Sequence, residues 1–474
     1  MINRYFIEKI NENFAFDFTA DQRSAVAKIV DFLYSQSNNQ VFLLKGYAGT
    51  GKSSLIGSLV KTMSQFNQKA VLLAPTGRAA KVFSTYAGQP AFTVHKKIYR
   101  MDKFTEGPGT FSLAENKHKH TLFLVDEASM ISNDNREFSI FGSGRLLDDL
   151  MEYVYSGEGN RLLLIGDTAQ LPPVQQDFSP ALDEKTIESF FFEVVTCTLT
   201  EIVRQSEESG VLVNATMLRN ALRKGNTVDF PKFNVDTFND VKRITGTELI
   251  DEISSAYNRD GIEETVVISR SNKRVNAYNM GIRNTVLYRE EELSPGDLLM
   301  ITKNNYYWAS DMENVDFLAN GEFVEVVRVR REETMYGFRF CNVLLRHKDY
   351  GVELEAKINL DSLHTEVPGL TREQNEQLFA AINGDYADIS RKSARYKKVK
   401  ENPYFNALLV KYGYAVTCHK AQGGEWKNVF LDLGYVNESH MGDNFYRWLY
   451  TSITRSSQML YLVNLTNDFI EGNK

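Results

Sequence analysis

Eight consecutive residues, Gly46-Tyr47-Ala48-Gly49-Thr50-Gly51-Lys52-Ser53, have a spacing that suits the phosphate chain of a nucleotide. A glycine, four residues, a second glycine, a lysine and a hydroxyl let backbone N–H groups turn inward onto phosphate oxygens, at the start of a helix whose dipole favours anions. Gly46, Ala48, Gly49, Thr50, Gly51 and Ser54 are therefore candidate nucleotide contacts. Lys52 would reach the β- and γ-phosphates, and the Ser53 hydroxyl would hold Mg²⁺. The second chemistry-bearing group is Asp126-Glu127, two carboxylates directly after the apolar run Thr121–Val125. Asp126 is a candidate for the same metal shell, and Glu127 for orienting or deprotonating an attacking water. A strand followed by Asp-Glu is common in any turn, but opposite a phosphate loop it points to phosphoryl transfer.

Residues so far apart in the chain need a sheet to bring them together. Residues 41–45, 71–74, 121–125 and 161–165 are apolar runs of strand length, and the glycine-rich loop leads into Leu55, Leu59 and Val60 at helical spacing. Polar residues collect at the tail of each run, which implies an α/β fold: one parallel sheet with its ligands along one edge. Upstream, Thr19 is a candidate N-cap for a helix with apolar positions Ala25, Val26, Ile29, Val30 and Leu33. The second run ends in Pro75-Thr76-Gly77-Arg78-Ala79-Ala80-Lys81, a corner that offers a hydroxyl, backbone N–H groups and cations to a phosphodiester backbone.

With 474 residues the chain can hold about three or four domains, and 43% hydrophobic with 24% charged residues is the balance of a globular protein. A net charge of −7 argues against non-specific coating of nucleic acid while leaving room for a local basic channel. Cys197, Cys341 and Cys418 are far apart and suggest neither a disulfide framework nor a zinc knuckle, so a reducing compartment fits. The first residues lack a secretory core and no apolar segment approaches the ~18 residues of a membrane span; a cytoplasmic protein is expected.

Nine stretches then follow one another in order: residues 19–22, 46–53, 74–81, 93–95 (Thr93-Val94-His95), 126–129, 166–174, 199–205, 414–425 and 449–455. This order resembles the Q motif and motifs I, Ia, Ib and II to VI of superfamily 1 helicases, in their RecD and PIF branch, over nearly the whole chain. The resemblance implies two RecA-like P-loop NTPase lobes, use of ATP with Mg²⁺, and movement along single-stranded DNA, 5′ to 3′, with unwinding at junctions of single-stranded and duplex DNA. A monomer is expected, since nothing in the sequence requires more. The resemblance names no protein partner. It also implies that Gln22 reads the adenine edge, that Glu425 lies near the ribose with Gly424 a further nucleotide contact, that Gln170 senses the γ-phosphate, and that Arg204 and Arg455 neutralise charge growing there. For the DNA strand it points to Pro75, Thr76, Thr93 and His95 on the first lobe and to Asn272, Thr417, His419 and Lys420 on the second. No spacing brings a carboxylate, a cysteine or a second histidine beside His95 or His419, so each is a contact to backbone or base, or a core or capping residue, rather than a metal ligand. A translocase that does not separate strands, an RNA helicase and a nucleotide-gated binding module stay open; intact Lys52, Asp126, Glu127 and Arg455 speak against the last.

Residues 265–269, 429–432 and 459–463 are further strand-like runs, suited to a second lobe without a phosphate loop. Two insertions are expected. Residues 96–120 carry Gly107-Pro108-Gly109 between Phe104 and Phe111, which reads as a hairpin; either ring could stack on a base where the strands part, or pack the hairpin onto its own lobe. Residues 291–409 begin with alternating runs at 297–302, 322–330 and 338–346, with a turn at Asn320-Gly321, and read as a small β-barrel. The family offers a Src-homology-3-like barrel here. A helical half follows, ending in Arg391, Lys392, Arg395, Lys397, Lys398 and Lys400, a solvated face or a phosphate contact. The first lobe then comprises residues 1–95 and 121–205, and the second 206–290 and 410–474.

Overall fold

The computed structural model describes residues 2–101, 111–134, 141–203, 209–235, 237–309, 317–367 and 369–471. The first lobe is built on six parallel strands in the spatial order Ala91–Thr93, Lys69–Ala74, Thr121–Val125, Arg161–Gly166, Gln40–Gly46, Glu193–Leu199. Alternate side chains of one strand serve opposite faces. Phe42 and Leu44 join a core with residues of the helices Ile2–Asn13, Ala20–Leu33 and Lys52–Gln65, whereas Val41 and Leu43 join the core that holds Leu147 and Leu150 of helix Leu146–Tyr155. Burial on both faces makes the central strands unbroken apolar runs, as expected from sequence. The two edge strands escape that signal: one has three residues, and Glu193–Leu199 is half polar with much of its length part-exposed. Because every pairing is parallel, the loop after Gly46, Pro75, Asp126 and Asp167 all follow strand ends along one edge.

A second sheet of five parallel strands repeats the plan, in the order Ala415–Thr417, Thr265–Ser269, Trp426–Asp432, Ser456–Val463, Val241–Ile244. Between its strands the chain forms a closed barrel of Leu298–Ile301, Phe323–Met335, Phe338–His347, Glu353–Asn359 and Leu408–Tyr412. The fold is thus the α/β arrangement of two RecA-like lobes with a barrel inserted in the second. The last strand carries the barrel past the expected limit at residue 409. The expected turn at Asn320-Gly321 is present, with Gly321 at φ 94°, but the tight hairpin is Tyr336-Gly337, where both residues are left-handed (φ 55° and 80°). Tyrosine seldom takes that conformation, so Gly337 alone marks the turn in the sequence, without the Asn-Gly or Asp-Gly pair that signals a tight hairpin. Helices Arg372–Asp385 and Lys392–Lys400 then pack Leu378, Ile382 and Val399 onto Phe338 and Phe340 of the barrel.

The first insertion pairs Tyr99–Met101 with Phe111–Leu113 in antiparallel register. Phe104 and the Gly107-Pro108-Gly109 turn lie outside the described residues. No helix among the described residues is long and apolar enough to cross a membrane.

Candidate active site

Strand Gln40–Gly46 delivers the glycine-rich loop, and helix Lys52–Gln65 starts at its end with Gly51 as N-cap and no capping side chain. The first N–H groups of the helix are thus left for a ligand, the arrangement that binds phosphate. Close approach explains two glycines. A Cβ on Gly46 would lie 2.9 Å from the Lys52 stem, and one on Gly51, which has φ 75°, would lie 2.6 Å from the Gln22 amide nitrogen. Lys52 Nζ donates to the carbonyls of Gly46 at 2.6 Å and Tyr47 at 2.8 Å, so the ammonium is bound by its own loop. Gln22 is buried: its Oε1 accepts from the Thr19 N–H at 3.0 Å, closing a capping box, and its Nε2 donates to the Thr50 carbonyl at 2.9 Å. The Gly49 carbonyl accepts from the Val203 N–H at 3.1 Å, the Thr50 hydroxyl donates to the Tyr47 carbonyl at 2.8 Å, and Ser53 and Ser54 are exposed on the first helical turn.

The Asp126 carboxylate accepts from the Tyr86 hydroxyl at 2.5 Å and from the Glu127 N–H at 2.9 Å; burial, then the Glu127 carboxylate, push its pKa up to about 6. Glu127 Oε1 lies 3.7 Å from Arg455 Nη1, which comes from the second lobe just after helix Asp443–Ile453. The Arg455 guanidinium donates to the carbonyls of Thr451 at 3.0 Å and Gly424 at 3.1 Å. A cleft of about 100 Å³ is lined by Ser53, Asp126 and Glu127 from one lobe and Gly424, Glu425 and Arg455 from the other. Six residues singled out by the sequence therefore meet. Gln170 is buried, and its Oε1 has no hydrogen-bond partner among the described residues. Arg204 lies outside the described residues.

The candidates for nucleic acid do not form one pocket. Thr417 and His419 line a groove of about 530 Å³ together with Arg270, Trp448 and residues 171–177. Asn272 is exposed at the start of helix Asn272–Gly281. Lys420 donates to Asn320 at the barrel, and burial lowers its pKa to about 8. Half-buried Pro75 precedes Thr76, whose hydroxyl caps helix Gly77–Ala87 by accepting from the Ala79 N–H at 3.2 Å. The Thr93 hydroxyl likewise accepts from the Lys96 N–H at 3.2 Å. Arg78 and Lys81, expected to face a phosphodiester backbone, are engaged elsewhere. Arg78 lies 3.8 Å over the Trp426 ring and donates to the Glu425 carbonyl, and Lys81 donates to the Lys348 carbonyl of the barrel. Three residues apart on a helix, they share a face, and that face is turned to the second lobe. Phe111 is buried with ring centroids 4.9 Å from Phe141 and 4.8 Å from Tyr306; of its two readings, the structure has it packing the hairpin.

The His95 ring sits edge-on to Phe141 at 4.9 Å, and burial lowers its pKa to about 4 against a smaller opposing pull from Asp149. Between pH 6.5 and about 4 the unfolded chain thus binds a proton at this position that the native state does not, and stability falls as pH drops through that window. In a His95→Gln variant, thermal unfolding followed from pH 7 to 4.5 is expected to show a shallower fall in Tm. An unchanged slope would mean that His95 charges in the native state.

Tyr86, Asp167 and Tyr450 belong to the site and had no role assigned from sequence. Asp167 follows an apolar strand just as Asp126 does, which is a usable signal. Tyr86 and Tyr450 give none, since a tyrosine in an amphipathic helix reads as packing.

Two family models match the chain: an AAA domain over residues 17–248 and a UvrD-like helicase C-terminal domain over 412–463. The ATP-dependent RecD2 DNA helicase of Deinococcus radiodurans is 24% identical over 92% of this chain, which spans about half of that protein (48%). The ATP-dependent DNA helicase dda of Enterobacteria phage T4 is 23% identical over 94% of this chain and 99% of its own length. A Pif1 helicase from Bacteroides, solved with ADP-AlF3 and ssDNA, aligns with 97% of this chain and 95% of its own at 15% identity and a TM-score of 0.45. The two models succeed each other along the chain as the two lobes do, and the phage protein matches from end to end. The chain belongs to the superfamily 1 helicases, in their RecD and PIF-like branch.

Proposed function

We propose that the chain is an ATP-dependent DNA helicase that moves 5′ to 3′ on single-stranded DNA and opens the duplex at its junction with that strand. The proposal rests above all on the cleft in which Ser53, Asp126 and Glu127 meet Gly424, Glu425 and Arg455. A nucleotide at the glycine-rich loop touches both lobes there, so its charge can hold them together and its hydrolysis can release them. Lys52 exchanges the carbonyls of Gly46 and Tyr47 for phosphate oxygens, a stronger, charge-assisted bond. Glu127 orients or deprotonates the attacking water, and Gln170 senses the γ-phosphate. Arg455, with Arg204, neutralises charge growing on the γ-phosphate oxygens. Gln22 acts on the adenine side while bracing the Thr50 carbonyl, and Glu425 on the ribose side.

Ser53 and Asp126 would hold Mg²⁺. A hydroxyl and a carboxylate are hard oxygen donors that suit this ion when phosphates complete its shell. When bound, the ion neutralises charge on the phosphate oxygens.

DNA as the polymer is supported by the names of the two relatives, and the 5′-to-3′ direction by the resemblance to their branch. The strand would cross the groove at Thr417 and His419 and continue past Asn272 and Lys420 on one lobe and Pro75, Thr76, Thr93 and His95 on the other. Duplexes with only a 5′ or only a 3′ single-stranded tail test this, with ATP and Mg²⁺ and with Lys52→Ala as control. Unwinding of the 5′-tailed duplex alone, absent in the variant, is expected. Unwinding of the 3′-tailed duplex would reverse the direction, and DNA-stimulated hydrolysis with neither duplex opened would leave a translocase.

A further inference from the structure

Tyr450 belongs to helix Asp443–Ile453 of the second lobe, yet its hydroxyl is bonded on both sides to the first. It accepts from the Ala48 N–H of the glycine-rich loop at 2.9 Å and donates to Asp167 Oδ2 at 2.5 Å. The buried Asp167 spends its other oxygen on the Ala169 N–H at 2.8 Å. An ionised carboxylate only accepts, so the hydroxyl hydrogen points at Asp167 and a lone pair is left for the Ala48 N–H, and each of the two bonds strengthens the other. Neighbours on the same helix grip the segment that follows Asp167. Thr451 Oγ1 accepts from the Leu171 N–H at 2.8 Å, and Arg447 donates to the Thr168 carbonyl. From a nearby turn, Gln422 Nε2 donates to the Leu171 carbonyl at 2.8 Å. That segment continues as residues 171–177, one wall of the groove that holds Thr417 and His419.

One hydroxyl therefore connects the loop that would hold phosphates with the wall of the groove that would hold the strand. We propose that Tyr450 is a positioning residue that couples the two: a polynucleotide in the groove sets the Ala48 end of the loop through Asp167 and Tyr450, and a nucleotide at the loop sets the groove in return. Such coupling is reciprocal by necessity. The inference rests on the helicase reading above.

Tyr450→Phe keeps the ring and removes the hydroxyl alone. The measurements are kcat and KM for ATP with and without saturating oligo(dT), the affinity for labelled oligo(dT) with ADP and with a non-hydrolysable ATP analogue, and Tm. In the variant the ratio of stimulated to basal kcat is expected to fall about tenfold, and the ratio of the two DNA affinities to approach one. Ratios equal to those of the unmodified chain overturn the proposal, whatever happens to Tm or to both rates in parallel, since that is what lost packing alone produces. Asp167→Asn offers a second route should the tyrosine variant not fold. Its amide can donate to the hydroxyl and reverse the chain of bonds, so the same loss of both ratios is expected and preserved ratios overturn the proposal. An unmodified chain whose hydrolysis ignores oligo(dT) sinks the helicase reading and this inference with it, whereas stimulation kept in both variants sinks the coupling alone.

Discussion

Alanine in place of Arg455 is expected to lower kcat for DNA-stimulated ATP hydrolysis by about 10³-fold or more, with KM for ATP moving only a few-fold. The guanidinium reaches the cleft from the second lobe and is held by the carbonyls of Thr451 at 3.0 Å and Gly424 at 3.1 Å, with Glu127 Oε1 at 3.7 Å. Two backbone acceptors fix its plane before any phosphate is bound, so little reorganisation is left when negative charge builds on the γ-oxygens. In the ground state that charge is shared with Lys52, which is why affinity should change less than rate. Lysine at position 455 is expected to restore less than about tenfold, because a single ammonium cannot satisfy both carbonyls and a phosphate oxygen in one plane. Steady-state kinetics with saturating oligo(dT) decide the matter. A raised KM with kcat within about threefold of the unmodified chain would make Arg455 a structural clamp on motif V, without a part in the chemistry.

The site divides into a part that could be read from sequence and a part that could not. Gly46, Asp126 and Glu127 end or directly follow strands buried on both faces, and Lys52 opens the helix after the first of them; such strands are continuous apolar runs, so the polar residues that follow them stand out. The hydroxyls of Tyr86 and Tyr450 reach carboxylates 40 and 283 residues away, and no local pattern records a partner at that distance. Arg78 shows the converse. A cation at a helix start beside a sheet edge has the local character of a phosphate contact, and nothing local announces the approach of Trp426 from the other lobe. Phe111 is similar: beside a turn signal it could be a wedge, but Phe141 and Tyr306, from two distant segments, enclose it. In the barrel, the runs that alternate were legible, whereas strand Glu353–Asn359 becomes buried on both sides over its last four residues and loses the alternation that marks a half-exposed strand.

The largest expected effect on stability is at the root of the barrel. Asp297→Ala should destabilise the junction of barrel and second lobe by about 3–5 kcal/mol, the range for breaking a buried ion pair from one side. Asp297 and Arg283 are both buried, with Oδ1 3.0 Å from Arg283 Nε. The same carboxylate accepts from Arg289 at 2.6 Å, from the Tyr414 hydroxyl at 2.8 Å and from the Ser294 N–H at 2.7 Å. Removing it leaves a buried guanidinium with only neutral acceptors, the Glu291 carbonyl and the Ser294 hydroxyl, and leaves Tyr414 and Ser294 short of a partner. Asp297 directly precedes the first barrel strand, and Tyr414 directly precedes the strand Ala415–Thr417 that leads to Thr417 and His419. The carboxylate therefore fixes the barrel against the strand that carries candidate DNA contacts. In a chain of several domains a single unfolding free energy is poorly defined, so the loss is better read locally. Hydrogen exchange of amides in strands Leu298–Ile301 and Leu408–Tyr412 should speed up by about 10²-fold to 10⁴-fold, with amides of the first sheet unchanged. Uniform acceleration across both lobes would mean that the barrel and lobes unfold as one unit, and no acceleration anywhere would mean that the paired charges add nothing over the packing around them.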